Sequence, residues 1–195
     1  MKKNSTEPDF QIIADSLCSN AFSEKGMHNF QEAARFIRNL PYGRNTDKTD
    51  LLSLFREQRG TCSTKHALLK QLAAENGFPG IRLILGLFRM HARNTPEVTE
   101  TLRKYQLPYM PEAHCYLRYG DEVLDCTKPD ADPSAFLPDL LLEREITPEQ
   151  ITTYKITFHE EYLEKYRSEP AFDRYTAAEL WEVREQCIRD LERYT

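Results

Sequence analysis

The sequence predicts an α+β fold with a small antiparallel sheet between two groups of helices. Both ends of the chain show helical periodicity. The middle contains one long apolar run and one alternating pattern typical of a β-hairpin. Patterns that occur in the order helices, strands, helices are typical of the α+β class.

At 195 residues the chain is long enough for one well-buried core, and we interpret it as a single domain. We expect N-terminal helices over residues 1–46, a central core that carries the reactive residues over 47–129, and a C-terminal helical extension over 130–195. The net charge of −5 argues against a nucleic-acid partner, because phosphate contacts need a clustered basic surface.

Two absences favour a cytoplasmic protein without a membrane partner. The N-terminal segment MKKNSTEPDF is not followed by an apolar region, so no secretory signal is expected. No stretch approaches the roughly 20 apolar residues that a membrane span needs. The five cysteines are odd in number and include no CxxC pair, which argues against a zinc ribbon or a disulfide framework.

The first elements are interpreted as helices. Residues 9–22 and 28–39 show helical apolar spacing, and a loop follows at 40–45. Asp50 can cap a short helix that ends before Gly60.

The next helix places a cysteine in its first turn. Thr61 is a suitable N-cap, the interior is rich in good helix formers, and Gly77 stands where a C-terminal glycine is expected. Cys62 is therefore close to the unpaired N–H groups and the positive end of the helix dipole, which favour thiolate over thiol.

The strands are expected in the middle of the chain. Residues 80–90 are almost continuously apolar, as in a strand buried on both faces. A helix should run from Thr95 to about Gln106, followed by an extended loop over 107–113. The hairpin pattern covers 114–127.

The C-terminal part combines two capping boxes with aromatic residues. Thr147 with Gln150 and Thr176 with Glu179 each predict a helix start. Between them we expect a further strand at 154–158, and an aromatic stripe that packs a helical extension. The stripe consists of Tyr154, Phe158, Tyr162 and Tyr166.

The hairpin register brings a histidine and an aspartate together. If Gly120 and Asp121 form a two-residue type II′ turn, His114 and Asp125 project from the same face of the sheet. They are then diagonal neighbours, about 7–8 Å apart at Cα, which is within reach of an imidazole and a carboxylate. With Cys62 they would form a nucleophile, a base and a carboxylate that orients the base.

The same residues carry a family resemblance. The segment RGTCSTKHALL at 59–69 resembles the nucleophile segment of the transglutaminase-like cysteine superfamily, and residues 76–86 resemble its continuation. His114 and the segment 124–127 resemble the family's His and Asp strands, in the family's order. The resemblance covers about 47–129 and implies a papain-like core, in which the Cys helix packs on an antiparallel sheet.

Two departures limit what the resemblance implies. The interval from His114 to Asp125 is shorter than the family usually shows. Transglutaminases carry Gln and Trp on either side of the cysteine, where this chain has Thr61 and Ser63. Protein cross-linking is therefore not implied.

Several further residues are weaker candidates. Gln58 could donate an amide to an oxyanion beside the backbone N–H of Cys62, and Tyr42 and Arg44 could line a cleft. A metal site at Cys62 and His66, completed by His114 and Asp125, is an alternative that we do not favour, because the spacing is long.

We therefore expect a cysteine-dependent hydrolase that forms a thioester at Cys62, and no metal or other cofactor. Its partner would be a peptide or a small amide substrate, and a peptidase, an amidase or a deamidase would fit. A catalytically inactive transglutaminase-like binding or scaffold module is the alternative.

Overall fold

The computed structural model describes residues 8–193. The helices are α1 (Leu17–Ser23), α2 (Phe30–Asn39), α3 (Ser53–Glu57), α4 (Cys62–Glu75), α5 (Thr99–Lys104), α6 (Thr153–Tyr166) and α7 (Ala177–Arg193). The strands are β1 (Ile81–Met90), β2 (Met110–Tyr119), β3 (Glu122–Leu124) and β4 (Leu140–Ile146). Short 3₁₀ helices span Pro96–Val98, Pro133–Ala135, Leu137–Asp139 and Pro148–Ile151. Within the described range, no helix combines the length and apolar character needed to span a bilayer.

The four strands form one antiparallel sheet in the order β3-β2-β1-β4. β1 is central and is buried on both faces, as its apolar run predicts. Leu83 and Leu85 belong to a core shared with α1, α2 and α4, while Ile84 and Phe88 belong to a second core shared with α6 and α7. The predicted α+β class is confirmed, with helices on both faces of a small antiparallel sheet.

The helix that carries Cys62 begins and ends as the sequence predicts. The Thr61 side chain accepts a hydrogen bond from the Thr64 backbone, and the Thr64 hydroxyl accepts one from the backbone N–H of Thr61. Gly77 follows the helix with φ +66°, the left-handed conformation that glycine adopts without strain. Most of the helix is buried, so its first turn is held firmly against the sheet.

The hairpin predicted over 114–127 is confirmed for its turn and for the pairs from Leu117–Leu124 to Tyr119–Glu122, but residues 125–127 are not part of a strand. Tyr119 pairs with Glu122 across a turn in which φ is +57° at Gly120 and is not positive at Asp121, as in a type II′ turn. β3 ends at Leu124, so the ladder stops before it reaches Asp125. The edge of β2 near His114 is therefore not covered by a strand.

The structure differs from the prediction in two segments, one near the N-terminus and one in the middle of the chain. Residues 9–16 do not form a helix, because their backbone groups bind distant partners. The N–H of Ile12 donates to the carbonyl of His28, and the carbonyl of Phe10 accepts the N–H of Phe30. The N–H groups of 13 and 14 donate to Asn76 Oδ1. Residues 110–113, predicted as a loop, instead extend β2 along β1. Long-range hydrogen bonds outweigh local propensity at both places. Residues 1–7, on which the prediction of no secretory signal partly rests, lie outside the described range.

The largest difference between the predicted and the observed secondary structure lies in the C-terminal region. Residues 154–158 lie in α6, not in a strand, and the unpredicted β4 takes the other edge of the sheet. The buried residues of α6 recur at helical spacing: Lys155, His159, Leu163 and Tyr166. Two of these residues are polar, which conceals the helical period from a search for apolar stripes.

Gly86 lies opposite His114 in the β1–β2 ladder and leaves space for an aromatic ring. A Cβ at this position would meet the Tyr116 ring at 2.8 Å and a Leu140 methyl at 3.1 Å. We predict that Gly86→Ala lowers the free energy of unfolding by about 1–3 kcal/mol, the usual effect of overpacking a filled core, as measured by urea denaturation.

Gly80→Ala is the matched control for this substitution. Its Cβ would meet only the Tyr119 ring, at 3.1 Å, and Gly80 lies at an exposed position. We expect a change below about 1 kcal/mol there. Equal losses at the two glycines would contradict the packing explanation.

Candidate active site

Cys62 is the first residue of α4 and lies almost completely inside the protein, with 7% of its surface exposed. The first residues of a helix have backbone N–H groups without an intrahelical acceptor, and these groups with the helix dipole stabilise negative charge nearby. The predicted position of the thiol at a helix N-terminus is thus the observed one.

His114 and Asp125 come together as the hairpin register predicts. His114 Nε2 lies 2.8 Å from Asp125 Oδ2, and Asp125 Oδ1 accepts the backbone N–H of Thr127 at 2.9 Å. The imidazole ring packs against Phe136, with ring centroids 5.0 Å apart, and against Tyr116 and Phe88. With Nε2 bound to the carboxylate, Nδ1 is the ring nitrogen that remains for the thiol.

Electrostatics favour a charged imidazole. Burial alone would lower the pKa of His114, but the charge of Asp125, its hydrogen bond and the Cys62 thiol raise that pKa to about 10. Burial likewise opposes ionisation of Asp125, yet the charge of His114 holds the pKa of that carboxyl well below its usual range. The pair is therefore an imidazolium and a carboxylate at neutral pH.

The Cys62 thiol is ionised by its neighbours. A side-chain hydrogen bond with Cys115 lowers the pKa of Cys62 most, burial opposes it, and the charges of Lys155 and His114 lower it further, to well below the usual range. The Cys115 thiol, as the donor to that thiolate, has its own pKa raised. Cys115 therefore contributes a hydrogen bond to the site as well as packing to the core.

Lys155 is a member of the site that sequence reasoning missed. Its Nζ lies 3.8 Å from the sulfur of Cys62 and donates to Ser63 Oγ at 2.7 Å. Burial alone would lower the pKa of Lys155, but the Cys115 and Cys62 thiols raise it, so the ammonium group keeps its charge. The signal was the helical spacing in α6, which a strand interpretation of 154–158 hides.

His66 and Lys65, one turn into α4, connect the helix to the segment that carries Asp125. The backbone N–H of Cys126 donates to His66 Nε2 at 2.7 Å, so the ring is neutral and its Nδ1–H donates to Cys62 O at 2.7 Å. Burial lowers the pKa of His66 to about 4, in agreement with a neutral ring. Lys65 Nζ donates to Thr127 O at 2.7 Å.

These bonds also bear on the alternative metal site. Both ring nitrogens of His66 already hold backbone groups, so a metal at Cys62 and His66 would have to break one of those hydrogen bonds. Among residues 8–193, no group of three or more His, Cys, Asp or Glu side chains has an arrangement that could hold a metal ion.

Cys62 lines two cavities. The histidine-side cavity, of about 210 Å³, contains His114 and Asp125 in its wall. Apolar side chains form much of the remaining wall. Four further carboxylates and one lysine also line it: Glu97, Glu112, Asp130, Asp132 and Lys128. A small molecule in this cavity would therefore contact both Cys62 and His114.

The lysine-side cavity, of about 240 Å³, has a different chemistry. It contains Lys155 and Ser63, but neither His114 nor Asp125 is part of its wall. Its charged lining residues are Arg44, Lys48, Lys155, Arg184, Glu112 and Glu185. Cys62 and Tyr42 are among the residues that line both cavities.

The three weaker candidates have different positions. Tyr42 lines both cavities and lies close enough to Cys62 that the thiol's charge, second to burial, raises the pKa of its phenol. Arg44 lines the lysine-side cavity and pairs with Glu185 at 2.8 Å. Gln58 lines neither cavity: it is exposed, and its amide donates to the Phe55 carbonyl. The structure therefore gives the Gln58 amide no contact with the site, since a local bond at the end of α3 holds it.

Comparisons with family models, with curated proteins and with solved structures find no match to this chain. The observed fold is an α+β arrangement with a four-stranded antiparallel sheet.

The first site prediction concerns the reactivity of Cys62. Alkylation by iodoacetamide requires the thiolate, which is present above the pKa of the thiol. We expect the wild-type protein to react rapidly at pH 6 and the His114→Ala variant to react at least about tenfold more slowly. Below the pKa of the thiol, each unit by which that pKa rises lowers the thiolate fraction tenfold. Alkylation is measured from pH 5 to 9 by mass spectrometry of the Cys62 peptide.

Gln58→Ala serves as the control, because its side chain lines neither cavity. It should leave the alkylation profile unchanged. A wild-type inflection near the ordinary cysteine pKa of about 8.5 would contradict an ionised Cys62.

A second prediction addresses the Lys155 charge. Lys155→Met removes a cation 3.8 Å from the sulfur, so the pKa of Cys62 should rise and alkylation at pH 6 should slow. Lys155→Arg keeps the charge and should retain most of the reactivity. If the two variants show the same profile, the lysine acts by packing rather than by charge.

Proposed function

We propose that this chain is a cysteine-dependent acyl-transfer enzyme that hydrolyses an amide or peptide-type bond through a thioester at Cys62. The observation that carries the proposal is the combination of an ionised thiol at a helix N-terminus with an imidazole that a carboxylate holds at 2.8 Å. A buried thiolate costs desolvation energy unless other groups stabilise it, and reactive cysteines are characteristically found in such surroundings.

The first step would be attack of the Cys62 thiolate on the carbonyl carbon of the substrate. The negative charge that develops on oxygen would be stabilised by N–H groups of the first turn of α4, the backbone N–H of Cys62 among them. The carbon–nitrogen bond then breaks, and His114 Nδ1–H gives its proton to the departing amine. The products of this step are the free amine, a neutral imidazole and a Cys62 thioester.

The second step would be hydrolysis of the thioester. Neutral His114 takes a proton from water, and the resulting hydroxide equivalent adds to the thioester carbonyl. Collapse of the adduct breaks the carbon–sulfur bond, releases the carboxylic acid and restores the thiolate–imidazolium pair. Asp125 keeps the ring in the orientation that both proton transfers need.

The fold is compatible with a papain-like or transglutaminase-like core, which we propose for residues 47–129. α4 packs on an antiparallel sheet, and the nucleophile, the histidine and the aspartate follow in that family's order. The residues next to Cys62 are not those of transglutaminases, so hydrolysis is favoured over protein cross-linking. The proposed enzyme is a soluble cytoplasmic protein, and its proposed substrate is a peptide or a small amide.

The test is capture of the thioester. Wild-type protein mixed briefly with a panel of aryl esters and anilides of short acyl groups should carry the acyl mass on Cys62, and should release free acid. Asp125→Asn keeps the shape of the carboxylate but removes its charge, and His114→Ala removes the proton carrier. We expect each to lower turnover by about 10²–10⁴-fold.

The pH dependence of kcat/KM provides an independent check. Activity requires the thiolate and the imidazolium together, so it should rise through the low pKa of Cys62 and fall as pH passes about 10, where His114 loses its proton. A folded protein with a reactive thiol that takes no acyl group from any probe would favour an inactive binding module instead. Acylation of another cysteine would exclude Cys62 as the nucleophile.

A further inference from the structure

The lysine-side cavity contains more positive than negative charge. Four cations, Arg44, Lys48, Lys155 and Arg184, face two carboxylates, Glu112 and Glu185. Counting the Cys62 thiolate as a third negative charge still leaves one cation in excess. His159 does not change the balance, because burial lowers its pKa to about 4 and its Nε2 binds Pro111 O.

The ion pairs identify the group that supplies this excess charge. Arg184 binds Glu112 through two hydrogen bonds of 2.8 and 2.7 Å, and Arg44 binds Glu185. Lys155 faces the thiolate. Within residues 8–193, Lys48 has neither a hydrogen bond nor an ion pair. Its pKa is lowered, first by burial and then by the charges of Lys155, Arg44 and Arg184.

The position of the cavity relative to His114 indicates which part of a substrate it would hold. The departing amine must reach the imidazole, and His114 lines only the histidine-side cavity. Lys128 pairs with Glu97 and Asp130 in that cavity, but carboxylates still outnumber cations in its wall, which suits an amine-bearing group. The acyl group attached to the thiol therefore extends toward the lysine-side cavity.

We propose that the lysine-side cavity binds an acyl group that carries its own carboxylate, so that the preferred substrates are monoamides of short dicarboxylic acids. This inference rests on the proposed function and adds the substrate class. The volume of about 240 Å³ suits a short chain, since typical ligand pockets measure roughly 300–1,000 Å³. Ile151, Trp181 and Ile188 supply apolar contacts for the methylene groups.

A single carboxylate matches the site better than a phosphate. Only one unit of positive charge is in excess, and both arginines are already held by carboxylates. A dianionic phosphate would place a second negative charge beside the thiolate, Glu112 and Glu185, at a cost in repulsion. The substrate carboxylate would instead form an ion pair with Lys48.

The test uses two alkylating reagents that differ in charge and do not depend on turnover. Iodoacetate carries a carboxylate and iodoacetamide does not, while both react with the thiolate. We expect Lys48→Met to slow alkylation of Cys62 by iodoacetate about threefold to tenfold while changing the iodoacetamide rate less than about twofold. Added salt at 1 M should reduce the difference in wild type.

Lys104→Met is the matched control, because it removes the same charge from an exposed position on α5 that lines neither cavity. It should leave the ratio of the two rates unchanged. A ratio that Lys48→Met does not alter, or that both variants alter equally, would overturn the proposal. Circular dichroism of each variant excludes misfolding as the cause.

Protection of Cys62 from iodoacetamide identifies the ligand class. The monoamide of glutaric acid should slow alkylation in wild type and lose this effect in Lys48→Met, whereas the neutral diamide should not protect. Inorganic phosphate that protects better than the monoamide would overturn the choice of a carboxylate. A charge-selective thiol without turnover of any amide would refute the proposed hydrolase but not the anion site, so the two failures are distinguishable.

Discussion

The arrangement of the site depends on the hydrogen bonds by which α4 holds the segment after β3. That segment has left the sheet ladder, so its backbone groups need other partners. His66 accepts the N–H of Cys126, and Lys65 donates to the carbonyl of Thr127. The same helix thus fixes the sulfur at its first residue and the carboxylate of Asp125 through its second turn.

The charges at the site stabilise one another and do little to stabilise the fold. Cys62, His114, Asp125 and Lys155 form two opposite-charge pairs in a region where burial penalises every ion. Replacing buried ion pairs by apolar groups often leaves stability unchanged or improved. These four charges therefore agree better with the proposed catalytic role than with a role in folding, since perturbed titratable groups in a cavity are characteristic of functional sites.

The parts of the site that sequence reasoning predicted are those that depend on local rules. A capping threonine places Cys62, and a two-residue turn sets the register that brings His114 to Asp125. The predictions for residues 9–16 and 110–113 were wrong because backbone partners far away in sequence decide the conformation of these segments. Lys155 was missed because residues 154–158 were interpreted as a strand, which hides the helical spacing of α6, and because that spacing does not show which surface the helix contacts.

The C-terminal region also changes how the division of the chain is understood. Sequence reasoning treats residues 130–195 as an extension of the core, but β4 occupies one edge of the sheet and α6 supplies Lys155. α7 supplies Arg184, whose two hydrogen bonds satisfy the buried carboxylate of Glu112 on β2. Without that arginine, Glu112 would be an unpaired buried charge, which typically costs about 3–5 kcal/mol. α7 also forms one wall of the lysine-side cavity through Trp181, Arg184, Glu185 and Ile188, so any selectivity of this cavity depends on the C-terminal helices as much as on the residues around Cys62.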